Sequence, residues 1–180
     1  MKDSDLLAGS QLKGHLPKGC VLCQKGAKLV LLVTGLCKQH CWYCPLSEEK
    51  RGRDLFFANE RRCDSINEVL EEAEAMDALG TGITGGDPLE VVDRTVDFIK
   101  NLKRRFGKRH HIHLYTPSFD RNELERVVNA GLDELRFHPP ASKWNETGLE
   151  PYMEAVRHFK NRVSVGFEIP AIPGYDKYMA

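Results

Sequence analysis

Cys37, Cys41 and Cys44 fall within eight residues, in the run Cys37-Lys38-Gln39-His40-Cys41-Trp42-Tyr43-Cys44. The spacing is C-x3-C-x2-C. An iron–sulfur cubane normally takes four protein thiolates, so three leave one iron with an open position. Metal sites that do chemistry rather than hold structure keep such a position open. A second metal reading exists. Cys20-x2-Cys23, seventeen residues, then Cys41-x2-Cys44 has the length of a zinc ribbon. That reading leaves Cys37 unused and forces the apolar run Leu29 to Val33 into a small ribbon, where it suits a core strand better. On the cluster reading, Cys20 and Cys23 are either part of a second metal site or two ordinary thiols. Cys63 stands alone and is expected to be a small, partly buried residue. His40 occupies a variable position of the loop and is expected in solvent.

A strand must deliver the loop. Lys28 to Thr34 is apolar and β-branched and ends just before Cys37, which reads as a buried strand. The polar stretch from Ser47 to Asn59 reads as loop. Ser65-Ile66-Asn67-Glu68 is a capping box, and Ile66, Val69, Leu70, Ala73 and Met76 continue at helical spacing, with Gly80 expected as the stop. A short strand, Thr81 to Thr84, leads into Gly85-Gly86-Asp87-Pro88. The two glycines allow close approach of backbone to a ligand, and Asp87 and Pro88 suit the start of a second helix. Strands are expected at His111 to Tyr115, Glu134 to His138 and Val163 to Ile169. Helices are expected to start at Asp120 and to run from Leu149 to Lys160. Strand and helix alternate, so the fold class is α/β, a parallel sheet with helices outside, curled into a partial (βα) barrel of about five units.

The 180-residue chain carries 26 basic and 26 acidic residues. Balanced charge excludes a global field that favours nucleic acid or an anionic membrane. No apolar run is long enough to span a bilayer, and the start Met1-Lys2-Asp3-Ser4-Asp5 is not a secretory signal. A cytoplasmic chain with reduced cysteines is the expectation. Residues 1–27 read as an irregular extension and 28–180 as the core domain. The chain stops soon after the fifth expected strand, at Gly174 to Ala180, which reads as a domain lacking its last unit. Lys103 to Arg109 contains a basic run, read as a solvated helix end or, less favoured, a patch for RNA or an acidic partner.

Together, C-x3-C-x2-C after a strand and Gly85-Gly86-Asp87-Pro88 after the next resemble the signature of the radical S-adenosylmethionine superfamily. Asp87 stands where that family often has Glu. The stretch Gly19 to Asn59, with Cys20, Cys23 and Cys44-Pro45-Leu46-Ser47, looks like archaeal proteins related to pyruvate formate-lyase activating enzymes. The resemblance implies that Cys37, Cys41 and Cys44 hold a [4Fe–4S] cluster whose free iron chelates S-adenosylmethionine. One electron would then cleave the sulfonium to methionine and a 5′-deoxyadenosyl radical, which abstracts hydrogen from a substrate. It implies contacts to S-adenosylmethionine from Gly85, Gly86, Asp87 and Pro88, and to its adenine from the Tyr43 backbone. It also looks to later strands for the remaining contacts, at Thr116, Ser118, Arg136, His138 and Glu168. Arg136, His138 and Glu168 would otherwise form internal ion pairs. His110, His111 and His113 read as strand and loop residues. An electron donor such as ferredoxin or flavodoxin is implied. The substrate is open, with activation of a glycyl-radical protein as one implied activity; RNA modification is an alternative whose only support is the basic run Lys103 to Arg109.

Overall fold

The structure, a computed structural model, describes residues 4–5, 11–12 and 14–175. Parts of the expected extension and the final residues 176–180, on which the reading of a cut end rests, lie outside them. Two-residue strands β1 (Ser4–Asp5) and β2 (Gln11–Leu12) pair antiparallel. Where the sequence reads as irregular, Lys18–Gln24 forms a helix, α1. Its seven residues show no long apolar period, so its face is set by what it packs on.

The main sheet has seven strands in the order β5-β4-β3-β6-β7-β8-β9. Five are parallel: β3 (Lys28–Leu32), β6 (Gly80–Thr84), β7 (His111–Thr116), β8 (Glu134–Phe137) and β9 (Ser164–Phe167). They are the five strands expected from the sequence. A hairpin, β4 (Phe56–Ala58) and β5 (Arg61–Cys63), adds antiparallel to the outer side of β3. The sequence reading ran a loop through β4; the hairpin turns on Asn59, at φ 54°, and three-residue strands are too short to show a period. Helices α2 (Ile66–Ala75), α3 (Val92–Phe106), α4 (Arg121–Asn129) and α5 (Glu146–Phe159) connect the parallel strands. The sheet is α/β and open, a partial barrel.

Start signals hold in atomic detail. The Ser65–Glu68 capping box is complete, Asp120 caps α4 through Asn122 and Glu123 N–H, and Asp87 caps a short 3₁₀ turn, Pro88–Val91, that leads into α3. The stop at Gly80 does not. α2 ends at Ala75, Asp77 takes the left-handed conformation at φ 51°, and Gly80 opens β6, where a side chain would collide with the His111 carbonyl.

The two sheet faces divide by chemistry. Leu29, Leu31, Ile83, Ile112, Leu114, Leu135 and Phe137 are fully buried under the helices with Val69, Ile99, Leu124 and Phe159. Removing one such leucine from water contributes about 2 kcal/mol. The alternate residues point to the concave side and are mostly polar or glycine: Lys28 on β3, Gly82 on β6, His111, His113 and Tyr115 on β7, Glu134 and Arg136 on β8.

Candidate functional site

The loop after β3 is built by backbone pairing with the turn after β6. Gly86 N–H donates to the Thr34 carbonyl at 2.8 Å, and Asp87 N–H to the Leu36 carbonyl at 2.7 Å. This approach is possible only without side chains: a Cβ on Gly85, which sits at φ +142°, would collide with the Thr34 carbonyl, and one on Gly86 with that of Leu36. The glycine turn therefore lies directly against the residues that enter Cys37. The far end of the loop returns to the same place, with Gly52 N–H on the Gly35 carbonyl at 2.8 Å and Gly35 N–H on that of Arg53 at 2.9 Å. Arg94 locks the junction, forking onto Asp54 at 2.6 and 2.9 Å and reaching the Val33 carbonyl at 3.1 Å.

Within the loop, Cys44 N–H closes a turn onto the Cys41 carbonyl at 3.1 Å, and Arg51 donates to the Cys44 and Leu46 carbonyls, both at 3.2 Å. Tyr43 reaches across the sheet mouth, its hydroxyl accepting the Ala141 N–H at 3.0 Å. Burial raises the Tyr43 phenol to about 12. Burial also pushes the Cys37 thiol up, against a contact from Gln39 N–H at 3.3 Å.

Cys37, Cys41, Cys44, Tyr43, Gly85 and Gly86 line one cavity of about 750 Å³. Its remaining wall is the concave sheet face, with Lys28, His113, Tyr115, His138 and Glu168. Gly85, Pro117, His138 and Glu168 are each the first residue past their strands, the end where open α/β folds place their sites.

All six cysteines are free. Among the described residues no group of three or more His, Cys, Asp or Glu is placed to hold a metal ion. That holds for Cys37, Cys41 and Cys44 as much as for the zinc-ribbon set. Cys23 lines the cavity, whereas Cys20 does not, and burial raises both thiols. A cubane differs in presenting each thiolate to a different iron, so its ligands need not converge on one point. Three free thiols on one short loop, around a cavity whose opposite lip is bare glycine backbone, fit that larger group.

Not every expected residue reaches the cavity. Asp87 is buried below it, its carboxylate accepting the Leu89 N–H at 3.1 Å and the Thr116 hydroxyl at 2.8 Å; burial raises its pKa. Pro88 starts the turn behind it. Ser118 belongs to the β7–α4 turn, where its hydroxyl accepts the Asp120 N–H. Arg136 lies deeper, paired to Glu134 at 3.0 Å and to the Ser164 hydroxyl at 3.2 Å. An internal ion pair is the alternative its sequence context allowed. Part of the basic run is engaged: Lys103 pairs with Asp133 at 2.6 Å and Arg105 with Glu74.

Lys28, Arg51, Gly82, His113 and Tyr115 line the cavity without having been singled out for it. The available signal was the alternation His111-Ile112-His113-Leu114-Tyr115, polar on every second residue of a strand whose other face is core.

Fold and loop define a class, and residues 31–177 match the model of the radical SAM superfamily. The chain belongs to that superfamily. It is 44% identical over 168 residues, 89% of its length, to a Methanocaldococcus jannaschii protein provisionally named a glycyl-radical enzyme activating enzyme. The match spans 44% of that relative's length. No solved structure matches the chain. No described helix is long and apolar enough to cross a membrane.

Proposed function

We propose that the chain carries the cluster-binding and S-adenosylmethionine-binding core of a radical enzyme, and that the enzyme activates a protein by abstracting hydrogen from a glycyl residue. The observation that carries the first part is the shared cavity of Cys37, Cys41, Cys44, Gly85 and Gly86. The second part is supported by the relative's name and by its 44% identity. A [4Fe–4S] cluster held there by Cys37, Cys41 and Cys44 would pass one donated electron to S-adenosylmethionine, supplying a 5′-deoxyadenosyl radical and methionine.

The chain's own residues perform three tasks. The three thiols hold the cluster at the C-terminal edge of β3. The paired backbones of Thr34–Leu36 and Gly85–Asp87 form a rigid lip, whose glycines leave room for a polar head group. Arg51, Tyr43 and the Arg94–Asp54 fork fix the loop, so little ordering remains when ligands arrive. Electrons come from a separate donor protein such as ferredoxin or flavodoxin.

Anaerobic incubation of the reconstituted chain with dithionite and S-adenosylmethionine should release 5′-deoxyadenosine. Methionine should appear in equal amount. A reconstituted protein that releases neither overturns the reading.

A further inference from the structure

Beneath the cavity the protein has cleared space for a polar cluster that the chemistry at the thiol loop does not use. Lys28 Nζ contacts Nδ1 of both His113 and, at 3.4 Å, His111. Glu134 receives Arg136 Nε at 3.0 Å, His111 Nε2 at 3.4 Å and the Gly19 N–H of α1 at 3.0 Å. Three glycines open the room. A Cβ on Gly82 would stand 2.7 Å from His113 Nε2, one on Gly166 2.9 Å from Arg136 Nη1, and one on Gly19 2.8 Å from Glu134 Oε1. Burying five ionisable side chains costs free energy that an apolar filling would not.

One atom of the cluster is left over. His113 is 1% exposed, and its Nδ1 faces the Lys28 ammonium, which has only protons to give. The ring therefore carries its own proton on Nε2. Burial and the neighbouring Lys28 charge both hold that ring neutral. Nε2 has no hydrogen-bond partner among the described residues, yet no sealed side-chain nitrogen or oxygen lacks one. Nε2 stands over Gly82, which with His113 lines the cavity.

The geometry points to a substrate subsite on this floor, in which His113 Nε2–H donates to a substrate carbonyl and the Glu168 carboxylate accepts a substrate N–H, so that the group recognised is a neutral secondary amide of a peptide. This rests on the proposed function in taking the cavity as the place where the glycyl segment is presented. A neutral group is favoured because Glu168 on the wall repels an anion, while Lys28 is turned onto the two histidine rings and Arg51 onto the Cys44 and Leu46 carbonyls. Tyr115 lines the cavity beside Glu168, and its ring packs edge-on against His113 at 4.7 Å. Lys28 is a positioning residue, because it selects the tautomer.

The test uses the chain without cluster and the probe N-acetylglycine N-methylamide, a neutral glycyl diamide. In wild-type protein with ¹⁵N-labelled histidine, the probe should shift the His113 Nε2 resonance saturably. His113→Phe should weaken probe binding roughly fivefold, as for one lost hydrogen bond. Glu168→Met, which leaves the Lys28–Glu134–Arg136 pairs intact, should weaken it similarly. Lys100→Ala, exposed on α3 and away from the cavity, should bind the probe like wild type, and N-acetylglycine, a carboxylate, should bind more weakly than the diamide. The subsite is refuted by an unmoved His113 resonance, by unchanged affinity in the two substituted sites, or by preference for the carboxylate. Release of 5′-deoxyadenosine separates the two claims: if it proceeds while the probe fails, only the subsite falls. If it is absent while the probe binds, the subsite stands and the radical function falls.

Discussion

The two faces of one sheet are held together by opposite means. The convex face is leucine, isoleucine and phenylalanine under four helices, stable because apolar surface leaves water. The concave face holds Lys28, His111, His113, Glu134 and Arg136, stable only because each charge and ring nitrogen that is sealed has a partner. The first face is redundant, with many contacts of similar worth. The second is a single connected network, in which one loss strands several partners. That difference separates what makes the chain fold from what the cavity is for.

The comparison breaks most visibly at Glu134. Glu134→Gln leaves Arg136 and His111 facing an uncharged partner, and should cost about 4 kcal/mol in denaturant unfolding. Glu134→Gln combined with Arg136→Met should recover part of that loss, which additive behaviour would not give. Next comes the convex face: Leu114→Ala should cost about 3 kcal/mol by cavity formation. A smaller effect is read by pH. Burial lowers Lys28 to about 8 from the ordinary 10.5. Between those values the unfolded chain binds the proton that the folded chain has released, so stability should rise with pH across that window. Below pH 8 both states hold the proton and this slope vanishes. Lys28→Met should remove the rise between pH 8 and 10.5, and an unchanged slope would assign it elsewhere. Smallest is Val30→Ala. Val30 points to the concave side and is 51% exposed, so the change should cost under about 0.5 kcal/mol. A large cost there would mean that the cavity is filled and that the two faces do not differ as described.

Much of this was legible in the residues themselves. Cys37, Cys41 and Cys44 are close in sequence, so spacing alone brings them to one loop, and Gly85-Gly86 is a local turn. The five parallel strands and the capped helix starts follow from short-range patterns. Four features were hidden for physical reasons. The β4–β5 hairpin is too short for a period. The stop of α2 is made by a left-handed Asp77 rather than by glycine. Arg136 was expected at the cofactor, yet its partner Glu134 stands two residues away on the same strand face, and only the register across β8 shows that the pair lies below the cavity. His113 is the clearest case. Its sequence neighbours mark it as a strand residue, while its tautomer depends on Lys28, 85 residues earlier. Roles set by contacts across the sheet are not written in any local window.

The central claim is that three thiols of one loop hold an iron–sulfur cubane. Anaerobic reconstitution with iron and sulfide, followed by iron and sulfide analysis of the gel-filtered chain, tests it directly. Wild type should retain about four irons and four sulfides per chain, while Cys37→Ala loses them and Cys20→Ala keeps them. Full retention by Cys37→Ala, or none by a folded wild type, would contradict it.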